Sequence, residues 1–374
     1  MRMMSLISAL IFVYEALSLV LPLRLRGRWK FLIAALLLAA ALRNELFQKI
    51  GGGMFFAPEL PRWAMLTGAL LYNFLIVALF LLLLKDAARL LWRLWPGRRP
   101  FPGAGASLAV LAAAALLTLY GTWEAVRVPD AVTRDLLVPG LPPEFEGARV
   151  AVIVDLHASA LNRRPFVQAV VDRTNALSPD LILMPGDFVD GLLRDREQDI
   201  EPLGQLKAPL GVWGSSGNHE YYSGYEDWMG RLEGLGVAML ENRHAVLTSG
   251  DGRLVLAGVP DPQSGLFGFA PPDPDLALRS APRGAPVILM AHRPQMAAES
   301  ARAGATIQIS GHTHGGQMPG LAQLIARFNA GYVRGWYDVG PMRLYVSPGA
   351  SLWNGFPLRL FDPAEITLFI LRGR

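Results

Sequence analysis

Residues 150–157, VAVIVDLH, pass in one step from five aliphatic side chains to a carboxylate and an imidazole, Asp155 and His157. A short run rich in β-branched residues and closed by polar ones reads as a buried strand. The pattern recurs four times further along. Leu181–Met184 leads into GDFVD (186–190), and Leu210–Trp213 leads through Gly214, Ser215 and Ser216 into GNHE (217–220). Val287–Met290 leads into AH (291–292), and Ile307–Ile309 into GHTH (311–314). Within Pro165–Leu177, Phe166, Val170 and Leu177 recur at helical spacing, so a helix is expected there. α/β proteins place their chemistry on loops at strand ends, and these polar residues stand at such ends.

The chain has six histidines; five of them, His157, His219, His292, His312 and His314, occupy the strand-end positions, and only His244 does not. A lone histidine is most often structural. Five sorted to equivalent positions beside Asp155, Asp187 and Asn218 point to metal. The donors are oxygen and nitrogen, which suit Mn, Fe, Zn or Mg. No cysteine is present, which excludes sulfur ligands, a thiolate nucleophile and a disulfide framework. One ion needs fewer donors than these. Two divalent ions bridged by a shared carboxylate, typically ~3.5–4 Å apart, would use them all, and would clamp the attacking and leaving oxygens of an in-line displacement at phosphorus.

The remainder of the chain is of another kind. At 52% hydrophobic and 18% charged, the 374 residues are more apolar than an ordinary soluble protein. Met4–Leu23, Trp63–Leu84 and Ser107–Val126 each approach the ~20 apolar residues that cross a hydrocarbon core. Phe31–Leu42 is shorter and could span if Trp29, Lys30 and Arg43 snorkel. About four spans are therefore expected within a membrane region 1–126. Glu15, inside the first, is a functional candidate by its depth, whereas Glu124 lies near a helix end. The triple glycine Gly51–Gly53 has neither a strand before it nor Lys-Ser/Thr after it, so it reads as a flexible turn and not a phosphate loop.

Charge divides the same way. Residues 1–130 hold 14 Lys/Arg against 6 Asp/Glu, and residues 131–374 hold 21 against 25. The working domain is not basic, so no nucleic acid is expected as a partner. Loop 24–30 (Arg24, Arg26, Arg28, Lys30) and loop 85–106 (Lys85, Arg89, Arg93, Arg98, Arg99) are the denser basic loops, which places them in the cytoplasm. With four spans the C-terminal domain then lies on the extracytoplasmic face. Pro and Gly punctuate residues 127–147, which read as a linker, and a catalytic domain is expected over 148–374.

DLH (155–157), GDFVD (186–190), GNHE (217–220), AH (291–292) and GHTH (311–314), in this order, resemble the calcineurin-like metallophosphoesterase superfamily. GHTHGGQ (311–317) and PAEITLFIL (363–371) resemble its membrane-anchored bacterial subgroup, some of whose members hydrolyse UDP-2,3-diacylglucosamine. The resemblance covers about residues 148–372 and implies an α/β fold, an αββα sandwich of two β-sheets flanked by helices. It implies that Asp155, His157 and His314 hold one metal, that Asn218, His292 and His312 hold the other, and that Asp187 bridges them. His219 would act on the phosphate or the leaving oxygen, with Asp190 and Glu220 orienting ligands. A hydroxide bridging the ions would attack phosphorus. The sequence departs from the family pattern at Val154, Ser159 and Arg293, none of them a ligand. Arg293 meets either solvent or the substrate phosphate.

A dinuclear hydrolase of phosphoester or pyrophosphate bonds is thus expected, with a phospholipid or lipid-linked phosphate as substrate. Leu321, Leu324, Ile325 and Phe328 fall on one helical face just after the last metal motif, with Arg327 and Arg334 nearby, a composition suited to a headgroup region. The alternative reading of that stripe is packing on the domain's own core. Alternative functions are a phosphodiesterase of soluble nucleotides, or a transporter or sensor carrying an accessory metal-binding domain.

Overall fold

The computed structural model describes residues 2–52, 57–94 and 101–373. They form two compact units, one of residues 1–124 with 354–360, the other of residues 125–353 with 361–374.

The first unit is helical. α1 (Arg2–Glu15) continues as a π-helical stretch, Ala16–Val20, and is followed by α2 (Gly27–Gly51), α3 (Arg62–Arg93) and α4 (Gly103–Val126). The last three are long and apolar enough to cross a membrane, and Leu6–Val20 is a shorter apolar helix. The expected short segment Phe31–Leu42 is the middle of a 25-residue helix. Ala, Leu, Arg, Glu and Gln are strong helix formers, and no glycine or proline interrupts them until Gly51. For the same reason Lys85, Arg89 and Arg93, expected in a loop, lie on α3. Gly53, Arg98 and Arg99 lie outside the described residues. Small side chains let these helices approach closely: Ala40, Ala41, Ala69, Ala78 and Ala114 are buried. Glu15, Arg43, Asn73 and Glu124 are buried among them.

The second unit holds, in order, β1 (Asp130–Leu137), β2 (Arg149–Val152), α5 (Arg164–Ala176), β3 (Leu181–Pro185), α6 (Leu193–Ile200), β4 (Val212–Ser215), α7 (Asn218–Ser223), α8 (Tyr225–Gly234), β5 (Val237–Met239), β6 (Arg243–Ser249), β7 (Gly252–Gly258), α9 (Pro274–Leu278), β8 (Val287–Met290), α10 (Ala297–Ala303), β9 (Ile307–Ser310), α11 (Leu321–Phe328), β10 (Gly335–Val339), β11 (Met342–Val346) and β12 (Glu365–Arg372). One sheet has the order β1-β12-β2-β3-β4-β5 and the other β10-β11-β9-β8-β7-β6. Neighbours from β2 to β5 are parallel, as are β7, β8, β9 and β11.

Strand alternation builds three apolar layers. Val150, Val152, Leu181 and Leu183 of one sheet join Leu254, Leu256, Ile288 and Ile309 of the other in the core between the sheets. The intervening residues Ala151, Ile182 and Met184 face α5 and α8 through Val167, Val170, Trp228 and Leu232. Val255, Val287 and Leu289 face α9 and α10 through Ala277 and Ala297. This is the αββα sandwich. Each fully buried Val, Leu or Ile contributes ~1.5–3 kcal/mol, so a one-residue slip of any central strand would expose a whole row.

Residues 127–147, read as a linker, contribute a strand instead. β1 pairs in parallel with β12 along its full length, Asp130 opposite Glu365 through Leu137 opposite Arg372. Its prolines flank the strand and do not interrupt it, and a pairing with residues more than 200 positions away leaves no local signature.

Candidate metal centre

The polar residues that follow β2, β3, β4, β8 and β9 meet at the ends of those strands. Asp155, His157 and His314 offer one ligand atom each within 4.8 Å of one another, as do Asp187, His292 and His312, and a third group of His157, Asp187 and His219 joins the two. Asp187 Oδ1 accepts from the backbone N–H of His219 at 2.9 Å. Its Oδ2 lies 3.2 Å from Nε2 of His292 and 3.6 Å from Nε2 of His157, between the two clusters.

The surroundings test whether cations fit. His157 Nε2, Asn218 Oδ1 and His292 Nε2 are buried and make no hydrogen bond among the described residues. A buried polar atom without a partner is costly; two of these, the Nε2 atoms of His157 and His292, face Asp187 Oδ2, and oxygen and nitrogen donors so placed suit divalent ions. The opposite ring atoms are engaged: His292 Nδ1 donates to the Pro185 carbonyl at 2.9 Å, and His157 Nδ1 to Asp190 Oδ1 at 2.9 Å. Such bonds set the tautomer that leaves Nε2 to ligate.

Electrostatics agree. Burial would lower the His292 imidazole, but Asp187 and Asp155 outweigh it and hold it at about 10. His219 is likewise opposed by burial yet held at about 9 by Asp187 and Asp190. The site favours positive charge. Burial, then the neighbouring His292 charge, keep His312 well below the usual range, so it is neutral and able to ligate. Burial alone would raise Asp190, but His157 and His219 hold it well below the carboxylate range.

Glu220 orders the loops. Its carboxylate accepts from the backbone N–H groups of Gly217 and Phe188 at 2.7 Å and of Asp187 at 3.0 Å. A side chain at Gly217 would collide with the Asp187 carboxylate, so GNH can approach GD this closely only through glycine. Arg293 Nε donates to Asp261 Oδ2 at 2.8 Å, and its side chain is largely buried. Thr313 Oγ1 donates to the Val333 carbonyl. His244, the sixth histidine, bonds the Ala277 carbonyl at 2.6 Å.

Residues 148–316 match the family model for calcineurin-like phosphoesterases. A transmembrane protein with metallophosphoesterase domain from Danio rerio is 30% identical over 335 residues, which cover 85% of this chain and 76% of that protein. The chain belongs to the calcineurin-like metallophosphoesterases. The Bos taurus protein of the same description is 33% identical over 273 residues, covering 69% of this chain and 60% of that one. An uncharacterized metallophosphoesterase of Helicobacter pylori (strain ATCC 700392 / 26695) is 33% identical over 248 residues, covering 66% and 65%. The chain is accordingly a membrane protein and a metal-dependent phosphoesterase, and its family uses divalent metal ions.

This metallophosphoesterase stores backbone strain at its candidate donors. Asp155, His157, Asp187, His312 and His314 have φ of 55°, 43°, 56°, 70° and 49°. A non-glycine residue in this region costs ~1–3 kcal/mol, and such strain gathers at functional sites. Four further residues, none singled out in the sequence, shape the centre. Asn162 bonds Ser351 and the carbonyls of His157 and Leu352. Glu241 accepts from Ser216 N and Oγ, beside the GNHE loop. Tyr222 and Trp353 lie 5.5 and 6.4 Å, ring centre to ring centre, from His219. They belong to no motif, and only their positions in the fold reveal them.

Proposed function

We propose that this chain hydrolyses a phosphoester or pyrophosphate bond in a membrane lipid or lipid-linked phosphate, by in-line displacement at two divalent ions. One observation carries the hydrolytic reading: donors from four strand ends gather in two clusters with Asp187 Oδ2 between them, and His219 from a fifth strand end stands beside both. Asp155, His157 and His314 would hold one ion, Asn218, His292 and His312 the other, and Asp187 both. When bound, the ions supply Lewis acidity toward phosphoryl oxygens and lower the pKa of water.

The chain's own residues complete the chemistry. Asp190 anchors Nδ1 of His219 and leaves Nε2 on the side of Asp187 Oδ2, 3.9 Å away. From there Nε2 gives its proton to the leaving oxygen. Glu220 keeps the Asp187 and Asn218 loops in register. Arg293, held by Asp261, faces the phosphate as a fixed cation.

The lipid reading is supported by α11, which starts shortly after His314. None of its residues is buried, and Leu324 and Phe328 are 50% and 76% exposed. A stripe packed on the domain core would be covered; this one suits a headgroup region. The basic residues of 24–30 and of the end of α3 favour the cytoplasm, which supports an extracytoplasmic catalytic domain.

The test uses the purified full chain with Mn, Zn or Mg. Turnover of a lipid phosphate in vesicles is compared with that of a soluble nucleotide diester, for the wild type and for Leu324→Asp with Phe328→Asp. The expected result is a loss of at least about tenfold on the lipid, with the soluble diester spared. Equal losses, or a wild type that prefers the soluble diester, would overturn the lipid assignment.

A further inference from the structure

Arg43 sits in the body of α2 and is 5% exposed. No carboxylate pairs with it among the described residues. Its hydrogen bonds go from Nη2 to two backbone carbonyls, Asn354 O at 3.3 Å and Gly355 O at 3.0 Å. The Tyr72 and Phe47 rings lie 4.9 and 5.4 Å from its guanidinium carbon. An arginine in a membrane helix is expensive and marks function by default. This one is spent on a seven-residue segment, 354–360, far away in the chain.

Two more helices grip the same segment. Asn73 of α3 is fully buried, and its Nδ2 donates to Pro357 O at 2.8 Å and to Thr122 Oγ1 at 2.9 Å. Gly121 of α4 accepts from the Arg359 N–H at 2.9 Å. A Cβ on Gly121 would come within 2.6 Å of Leu358 and 2.8 Å of Leu360. Phe356 meets Tyr72 edge to face.

The residues on either side of this segment belong to the metal centre. Before it, the Ala350 N–H donates to Val154 O at 2.7 Å, Ser351 and Leu352 bond Asn162, and Trp353 stands beside His219. After it, Asp362 pairs with Arg334 and occupies the space a side chain on Gly315, next to His314, would need.

We propose that residues 354–360 are a strap by which α2, α3 and α4 hold both flanking segments in place against the metal-ligand loops, so that Arg43 and Asn73 are positioning residues of the hydrolase. The inference rests on the metal cluster being the hydrolytic site.

The test uses the full chain, bis(p-nitrophenyl) phosphate and Mn. Arg43→Met and Asn73→Leu keep much of the side-chain shape and remove the donors. Each is expected to lower kcat by at least about tenfold and to weaken Mn binding, with KM little changed; Arg43→Lys recovers part of both. Replacement of 354–360 by seven Gly/Ser residues should reproduce the loss, and adding Arg43→Met to that protein should cost nothing more, because coupled residues are not additive. An Arg43→Met protein with wild-type kcat and Mn affinity, or losses that add in the combined variant, would overturn the strap. If Arg43→Met does not fold, Asn73→Leu decides by the same criteria. A wild type that hydrolyses no phosphodiester with any metal would sink the hydrolytic reading itself, a separate outcome.

Discussion

Asp190 Oδ1 lies 2.6 Å from Nδ1 of His219. The same oxygen lies 2.9 Å from Nδ1 of His157. A carboxylate oxygen can only accept, so both imidazoles present Nδ1–H to it and turn Nε2 the other way. One carboxylate thus sets the tautomer of a candidate metal donor and of the proposed acid together.

Asp190→Asn should therefore damage two functions at once. An amide cannot accept from both rings with a full negative charge, and loss of such an orienting partner costs ~10–100-fold in metal affinity or activity. Mn titration of the chelated protein should show the weaker binding, and steady-state kinetics the lower kcat. Unchanged affinity would assign Asp190 to His219 alone.

His219→Ala should separate chemistry from metal binding. Metal content should stay intact while kcat falls by roughly 10²–10⁴. The loss should shrink for a nitrophenol leaving group, which needs no proton. Equal losses for acidic and basic leaving groups would count against proton donation.

Asp187→Asn should be the most damaging ligand change. Asp187 stands between both clusters, so its loss leaves two positive centres without a shared carboxylate. Phosphodiester hydrolysis should disappear and the metal content measured by mass spectrometry should fall. A variant that keeps two ions and near-normal turnover would refute the bridge.

Removal of metal should make stability depend on alkaline pH. Against the pull of burial, carboxylates hold His219 at about 9 and His292 at about 10. Both values lie above the ~6.5 of an unfolded imidazole. Their charged forms therefore stabilise the stripped fold fully below about pH 6.5, and that contribution is lost as pH rises through 9 to 10. Chelated protein should melt at a lower temperature at pH 10 than at pH 7. Metal-loaded protein should show a smaller drop, because ions then supply the positive charge. Identical drops with and without chelator would show that these histidines are not the cause.

The sequence by itself determined the family and the set of candidate donors. Donor type and short spacing are local properties, so DLH, GDFVD, GNHE and GHTH announce candidate oxygen and nitrogen donors at strand ends before any contact is known. Apolar length likewise announces the membrane helices. Tertiary structure alone decided the rest. Asp190 reaches His157 across 33 positions and Arg43 reaches Gly355 across 312. β1 finds β12 from a stretch that its prolines made look like a linker. Such pairings follow from which surfaces pack together, and packing is decided by the whole set of buried faces rather than by any stretch of chain. An arginine in an apolar helix reads from sequence as a snorkelling end residue; only the fold shows that its acceptors are two carbonyls of a distant segment.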